Sequence, residues 1–254
     1  MNIAVLFKLV PDLVEELEID ASGTALDASW MRLIVNEFDD HAIEQAILLK
    51  EQHGGQVTVI SPGTEGVDDV LFTAAAKGAD RLIKLIGELE SASNNHSLAR
   101  ALASTVAEFQ PDIVLTGVQA HTDLDGSTGP LLAEYLGMPY VGYISGVEVN
   151  DGQVTVRKEY PGGLIAEMNV KLPAVLGIQA AQQPPRYVAL SKVRQAMKTA
   201  HIEEQDISTP DASGAPEVSR MAKPEIGAQA TMIEGDVDEV AARLVAIFKE
   251  VGVL

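Results

Sequence analysis

The twenty residues from Pro111 to Pro130 read Pro-Asp-Ile-Val-Leu-Thr-Gly-Val-Gln-Ala-His-Thr-Asp-Leu-Asp-Gly-Ser-Thr-Gly-Pro, and they decide the fold. Ile113–Thr116 is a short apolar run behind a Pro-Asp breaker, and Leu131–Leu136 then repeats its apolar residues at helical spacing. Between them lies a loop rich in Gly, Ser, Thr and Asp. At the carboxyl end of a parallel strand, such a loop brings backbone N–H groups close to a phosphate, and the helix N-terminus adds a partial positive charge. An ordinary strand-to-helix connection has the same spacing, so this stretch alone leaves both readings open.

Working outward, the same unit recurs. Ile3-Ala4-Val5-Leu6-Phe7 is a continuous apolar run, as expected of a central strand covered on both faces. Pro11–Trp30 is acidic and contains turn residues, which suits an excursion or hairpin. Asn36-Glu37-Phe38-Asp39-Asp40 offers N-cap residues for a helix over Ala42–Gln52, with Ile43, Ala46, Ile47 and Leu49 on its apolar side. Gly54-Gly55 ends it, Val57–Ile60 is the next strand, and Ser61-Pro62-Gly63-Thr64 opens another loop-to-helix step. Ala79–Ile86 reads as a third strand, Asn94–Phe109 as a helix, and Ile113–Thr116 as a fourth strand. Strands alternating with helices predict a doubly wound, mainly parallel, Rossmann-like α/β sheet. Right-handed crossovers then gather the loops beginning at Lys8, Ser61 and Gly117 on one edge.

Beyond Leu136 the period changes to two. Val147–Val149, Val154–Lys158 and Leu164–Val170 are separated by Asn150-Asp151-Gly152 and Pro161-Gly162-Gly163, which predicts an antiparallel edge extension. Pro173–Gln179 brings one more apolar strand. Pro184-Pro185-Arg186-Tyr187 fixes an extended approach to a basic helix with Lys192, Arg194 and Lys198, capped by Ser191. Residues 201–233 are acidic and rich in Pro, Ser, Gly and Ala, as expected of an extended arm. An amphipathic helix over Val237–Val251 closes the chain, with Val240, Leu244, Ile247 and Phe248 on one face. The expected organisation is an α/β nucleotide-binding domain over 1–200 that includes the loop and basic helix at 184–199, an extended arm over 201–233, and a C-terminal helix over 234–254.

Composition bounds the function. The 254 residues are 46% hydrophobic, enough for a sizeable core. The net charge of −19, from 18 basic and 37 acidic residues, argues against a sequence-independent grip on nucleic acid or anionic membrane. Without cysteine there is no disulfide or thiolate metal site, and His41, His53, His96, His121 and His201 show no metal-ligand spacing. His121 has no carboxylate or Ser at triad spacing. No signal peptide, transit segment or membrane span is apparent, so the expected location is the cytoplasm.

Five blocks of sequence resemble the β subunit of electron transfer flavoproteins. They are Lys8-Leu9-Val10-Pro11-Asp12; Asn36-Glu37-Phe38 before Ala42-Ile43-Glu44; Gly117-Val118-Gln119-Ala120 through Thr128-Gly129; Gly162-Gly163 with Lys171-Leu172-Pro173-Ala174; and Pro185-Arg186-Tyr187 with Leu190. The segment from Ile233 to Leu254 is similar to the family's C-terminal helix. The resemblance implies a heterodimer in which an α subunit holds most of an electron-carrying FAD, while the β subunit contributes one wall and a buried AMP. In an electron-bifurcating branch, a second FAD takes the place of AMP. Carried onto this chain, the cofactor residues are Lys8, Leu9, Val10, Asn36, Ser61, Gly63, Thr64, Gly117, Asp123, Asp125, Gly126, Ser127, Thr128 and Gly129, with Phe38 toward the shared flavin. A flavoprotein dehydrogenase would dock at the loop carrying Tyr187, Leu190 and Arg194. An apolar side chain held up by Pro184-Pro185 and a short helix suits insertion into a partner's pocket; packing inside its own subunit is the alternative.

The chain also departs from the family pattern. Ser127 stands where Gln is usual and Leu124 where Asp is usual. Pro161 replaces the acidic residue before the glycine pair, Glu167 lies displaced from the usual position, and Leu13 stands where some members carry an aromatic residue. These departures mark a divergent branch. From the residues alone, Lys8 is either a phosphate-facing cation or a strand-end charge, and Asp123 and Asp125 either hold ribose or solvate a loop. The resulting expectation is an electron carrier that passes electrons from flavoprotein dehydrogenases toward a quinone reductase or another acceptor, with no bond chemistry from its own side chains. The alternatives are a bifurcating-type subunit with FAD in the β site, and a stand-alone nucleotide-binding regulatory protein.

Overall fold

The computed structural model describes residues 1–87, 94–123, 127–150, 152–207, 217–224, 227 and 230–254. The chain divides into two compact units, Met1–Ser219 and Arg220–Leu254.

In the first unit the described residues build a nine-stranded sheet. In chain order its strands are β1 (Asn2–Leu6), β4 (Gln56–Pro62), β5 (Arg81–Ile86), β6 (Ile113–Gly117), β7 (Tyr140–Asn150), β8 (Gln153–Tyr160), β9 (Leu164–Lys171), β10 (Ala174–Ile178) and β11 (Ile202–Asp206). The short strands β2 (Leu9–Pro11) and β3 (Leu33–Val35) form a separate antiparallel pair at the base of the acidic excursion. The spatial order is β11-β5-β4-β1-β6-β10-β7-β8-β9. Every pairing from β11 to β7 is parallel, and β7–β8 and β8–β9 are antiparallel. This is the doubly wound, mainly parallel sheet with an antiparallel edge that the sequence pattern predicts.

The continuous apolar runs are explained by helices on both faces. Along β1 and the residue that follows it, Ile3, Val5 and Phe7 belong to one core layer and Ala4 and Leu6 to the other. The first layer is covered by α1 (Glu37–His53) and α2 (Val67–Lys77), through Ile43, Ile47, Leu49 and Leu71. The second is covered by α3 (Asn95–Phe109) and α4 (Thr128–Leu136), through Leu102, Val106 and Leu132. Each fully buried Val, Leu or Ile here stabilises the fold by about 1.5–3 kcal/mol.

Three local readings need correction. Helix α1 starts at Glu37 rather than Ala42, because its first turn is held by Asp39 and Asp40 N–H groups donating to Asn36 O. Helix α5 (Leu190–Thr199) is preceded by Ala189 at its N-cap, so Ser191 lies within its first turn instead of capping it. Residues 202–206, which the composition places in an arm, form β11 beside β5. Their apolar content is low, but Glu203 and Glu204 pair with Arg81 and Lys84 across the strands, at 2.7 and 2.8 Å. Cross-strand charge supplies the register that hydrophobic alternation does not.

In the second unit, α6 (Val237–Glu250) carries a capping box: the Asp236 carboxylate accepts from the Asp238 and Glu239 N–H groups, and Glu239 reaches back to the Asp236 N–H. None of its residues is buried.

Candidate functional site

Because β4, β1 and β6 are adjacent and parallel, their carboxyl ends at Pro62, Leu6 and Gly117 open on one edge, where doubly wound sheets bind ligands. A cleft of about 340 Å³, counting its open mouth, lies there. Leu6, Phe7, Pro62, Leu98 and Leu102 form its apolar walls. Lys8, Asn36, Asp39, Thr116, Gly117, Gln119, Asp123 and Thr128 supply the polar groups.

Those polar groups form two networks. In the first, Lys8 Nζ donates to Asp123 Oδ1 at 2.6 Å and to Asn95 Oδ1 at 3.2 Å. Asn95 Nδ2 donates to Asp123 Oδ1 at 2.7 Å, the Ala120 N–H donates to Asp123 Oδ2 at 2.8 Å, and Thr128 Oγ1 donates to Asn95 Oδ1 at 3.2 Å. In the second, the Asp39 carboxylate accepts the Lys8 N–H at 3.0 Å and the Gly117 N–H at 2.8 Å, tying α1 to the ends of β1 and β6. Burial pushes the Asp39 carboxyl up to about 6, against the Lys8 charge and the two backbone N–H groups, which lower it. Gly117 is required by this packing: a Cβ there would lie 2.8 Å from both Asp39 N and Phe38 C. Asn36 caps α1 by position only, because its Nδ2 donates across the cleft to Gln119 O at 3.0 Å.

Of the residues proposed from the sequence, Lys8, Asn36, Gly117, Asp123 and Thr128 line the cleft together. Leu9 and Val10 belong to β2 and do not line it, Phe38 is half-buried in the first turn of α1, and Ser61 is fully buried with its Oγ donating to Pro62 O. Gly63 and Thr64 follow the end of β4, where Pro62 is the lining residue. Gly129 packs under the Tyr140 ring, and Ser127 faces a neighbouring concavity shared with Tyr140, Tyr143, Lys158 and Tyr160. A bulge on β7 puts Tyr143 in the left-handed backbone region, and Lys158 Nζ sits 5.3 and 5.4 Å from the Tyr143 and Tyr160 ring centres. Asp125 and Gly126 lie outside the described residues.

Sequence reasoning missed Asp39, Asn95, Thr116 and Gln119. An acidic residue in the first turn of a helix that follows a strand end was the available signal for Asp39. Asn95 begins a helix in a poorly patterned stretch and carried none. Thr116 Oγ1 is buried with no hydrogen-bond partner among the described residues, so the cleft holds a polar atom that a ligand would satisfy.

The segment proposed for partner recognition is fastened to α1. The Ala181, Gln182 and Arg186 N–H groups donate to His41 Nδ1, Gln45 Oε1 and Glu44 Oε2 at 3.2, 3.1 and 2.9 Å. Positions 41, 44 and 45 share one helical face. The Arg186 guanidinium also contacts Glu44, whose side chain is 2% exposed, and Glu51. These carboxylates push the Arg186 guanidinium above its usual range, Glu51 first. Beyond this mount Tyr187 and Leu190 are 89% and 70% exposed and Arg194 is exposed, so Leu190 does not pack into its own unit.

The fold and the cleft thus define a doubly wound, mainly parallel α/β protein with a candidate ligand site at its strand ends. A family model for the electron transfer flavoprotein domain matches residues 31–210. The electron transfer flavoprotein subunit beta of Methylophilus methylotrophus is 34% identical, with 98% of each chain covered. That of Clostridium acetobutylicum is 33% identical and that of Bacillus subtilis 28%, each again covering 98% of both chains. The chain belongs to the electron transfer flavoprotein β-subunit family. Among the described residues, no helix is long and apolar enough to cross a membrane.

Proposed function

We propose that this chain is the β subunit of a heterodimeric electron transfer flavoprotein working in the cytoplasm. It receives electrons from flavoprotein dehydrogenases and passes them toward a quinone reductase or another acceptor. The observation that carries the cofactor part is the cleft at the ends of β4, β1 and β6, with apolar walls, a buried Thr116 hydroxyl that has no partner among the described residues, and the cationic Lys8. AMP is a group of the right chemistry for that set: Phe7, Pro62, Leu98 and Leu102 would hold its apolar part, and Asn36, Thr116 and Thr128 would bind its polar groups. The start of α4 adds helix N-terminal N–H groups for an anion.

The redox group on this reading is an FAD shared with an α subunit, which when bound supplies the electron-carrying chemistry. The chain's own part is to hold and position. Phe38 supplies an apolar side chain near the site, and the mount on α1 presents Tyr187, Leu190 and Arg194 to a dehydrogenase. Exposure of Leu190 next to a rigidly fastened segment supports this assignment, since anchors that enter a partner's pocket are large, apolar and held in place.

The test is to purify the chain alone and together with a candidate α subunit, denature each sample, and identify the released nucleotides by mass spectrometry. One AMP and one FAD per heterodimer is the expected result. Two FAD per heterodimer would mean that FAD occupies the β site, as in a bifurcating-type subunit. A flavin-free protein that ignores the α subunit would leave a stand-alone nucleotide-binding protein.

A further inference from the structure

The charge balance of the cleft bears on what it admits. Lys8 is the cation among the described residues that line it, and Asp39 and Asp123 are the anions. Lys8 Nζ is already held by Asp123 at 2.6 Å, with the two side chains only 18% and 8% exposed. The Asp123 carboxylate takes three donors: the Lys8 ammonium, the Asn95 amide and the Ala120 N–H. An ammonium, an amide N–H and a backbone N–H converging on one pair of oxygens is also the donor set that holds a phosphate. The turn that delivers the carboxylate is closed by the Asp123 N–H donating to Ala120 O at 3.0 Å, and Asn95 is itself held by Thr128. The arrangement is therefore built rather than a chance surface pair.

We infer that Asp123 is an internal anion occupying the donor set around Lys8, and that an anionic ligand must displace it. This rests on the reading of the cleft as a nucleotide site. Lys8 Nζ already donates to Asp123 and Asn95, and a phosphate brought to the same partly buried ammonium is repelled by the Asp123 carboxylate, so the two anions compete for Lys8. A neutral nucleoside meets no such competition. Asp123 thereby sets how strongly the site prefers phosphorylated over unphosphorylated ligands, a specificity achieved by an opposing charge rather than an added contact.

The test uses the full chain with its α subunit, freed of bound nucleotide and titrated calorimetrically with AMP, adenosine and inorganic phosphate. Asp123→Asn keeps the shape and removes the charge. The expected result is that AMP binds about tenfold or more tightly to Asp123→Asn than to the parent, while adenosine affinity changes less than about threefold. In the double variant with Lys8→Gln that gain disappears, because the ammonium being contested is gone. Weaker binding of both AMP and adenosine to Asp123→Asn would overturn the inference, since it would make Asp123 a ligand to the nucleoside.

Should Asp123→Asn fail to fold, a crystal structure of the parent with AMP decides. Lys8 Nζ should have left Asp123 for a phosphate oxygen; a Lys8–Asp123 pair still at hydrogen-bonding distance would overturn the idea. Failure of the nucleotide reading itself would show as no adenosine binding to any variant. In that case, inorganic phosphate binding gained by Asp123→Asn still supports the internal anion, and its absence refutes it.

Discussion

Replacing Asp39 with asparagine should change the pH dependence of stability in a direction opposite to that of most carboxylates. Asp39 is buried, and its folded carboxyl titrates at about 6 against an ordinary 3.8. The folded state therefore holds this proton more tightly than the unfolded state does. Between about pH 3.8 and 6 the native protein binds more protons, so the Asp39 contribution to stability grows as pH falls and is lost as pH rises through 6. With those two values, the contribution is about 1.3 kcal/mol larger at pH 5 than at pH 7. Asparagine does not titrate, so the difference isolates Asp39 from the other carboxylates of a chain with 37 acidic residues. The assay is urea denaturation followed by far-ultraviolet circular dichroism, for parent and variant at both pH values. The absolute cost of the substitution is a separate matter. An amide accepts only one of the Lys8 and Gly117 N–H groups and faces the other with its own donors, which costs about 1–3 kcal/mol. The expected gain of the parent over the variant on going from pH 7 to 5 is about 1.3 kcal/mol. A parent that loses ground to the variant on acidification would show that hydrogen bonding and Lys8, rather than burial, dominate Asp39, and would refute it.

Other substitutions test the remaining parts. Gly117→Ala forces a methyl group against the first turn of α1 and should destabilise by about 1–3 kcal/mol in a thermal or chemical melt. Arg186→Ala leaves the buried Glu44 carboxylate without its charge partner and should cost about 2–4 kcal/mol; Arg186→Lys should recover little, because one ammonium cannot reproduce the fork to Glu44 and Glu51. Leu190→Ala should leave the melting curve within about 0.5 kcal/mol of the parent, since the side chain is exposed, while raising the KM for a flavoprotein dehydrogenase several-fold.

The doubly wound core was legible because strands covered on both faces are almost wholly apolar and their helices are amphipathic. Ile3–Phe7, Val57–Ile60 and Ile113–Thr116 all announced themselves in this way. Strand β11 did not, since Ile202–Asp206 is held at the sheet edge by Arg81–Glu203 and Lys84–Glu204 pairs, which hydrophobic periodicity cannot register. The cleft was legible to the extent that strand ends and loop composition marked it: Lys8, Asn36, Gly117, Asp123 and Thr128 meet there. The groups that organise those residues were less visible. Asp39 acts through backbone N–H groups of two other segments, and Asn95 reaches the cleft from a helix start with no periodic or Gly-rich signature. Such long-range hydrogen bonds depend on the finished tertiary arrangement, and local sequence carries no trace of them.

One helix serves both ends of this molecule's business. The first turn of α1 borders the cleft through Asn36 and Asp39, and one turn later His41, Glu44 and Gln45 take up the backbone of the segment leading to Leu190. A rigid rod with two fixtures transmits any tilt of one to the other. On the proposed function, changing the partner without disturbing the ligand therefore calls for changes beyond Arg186, from Tyr187 onward, and substitutions along the rod will be felt at both ends together.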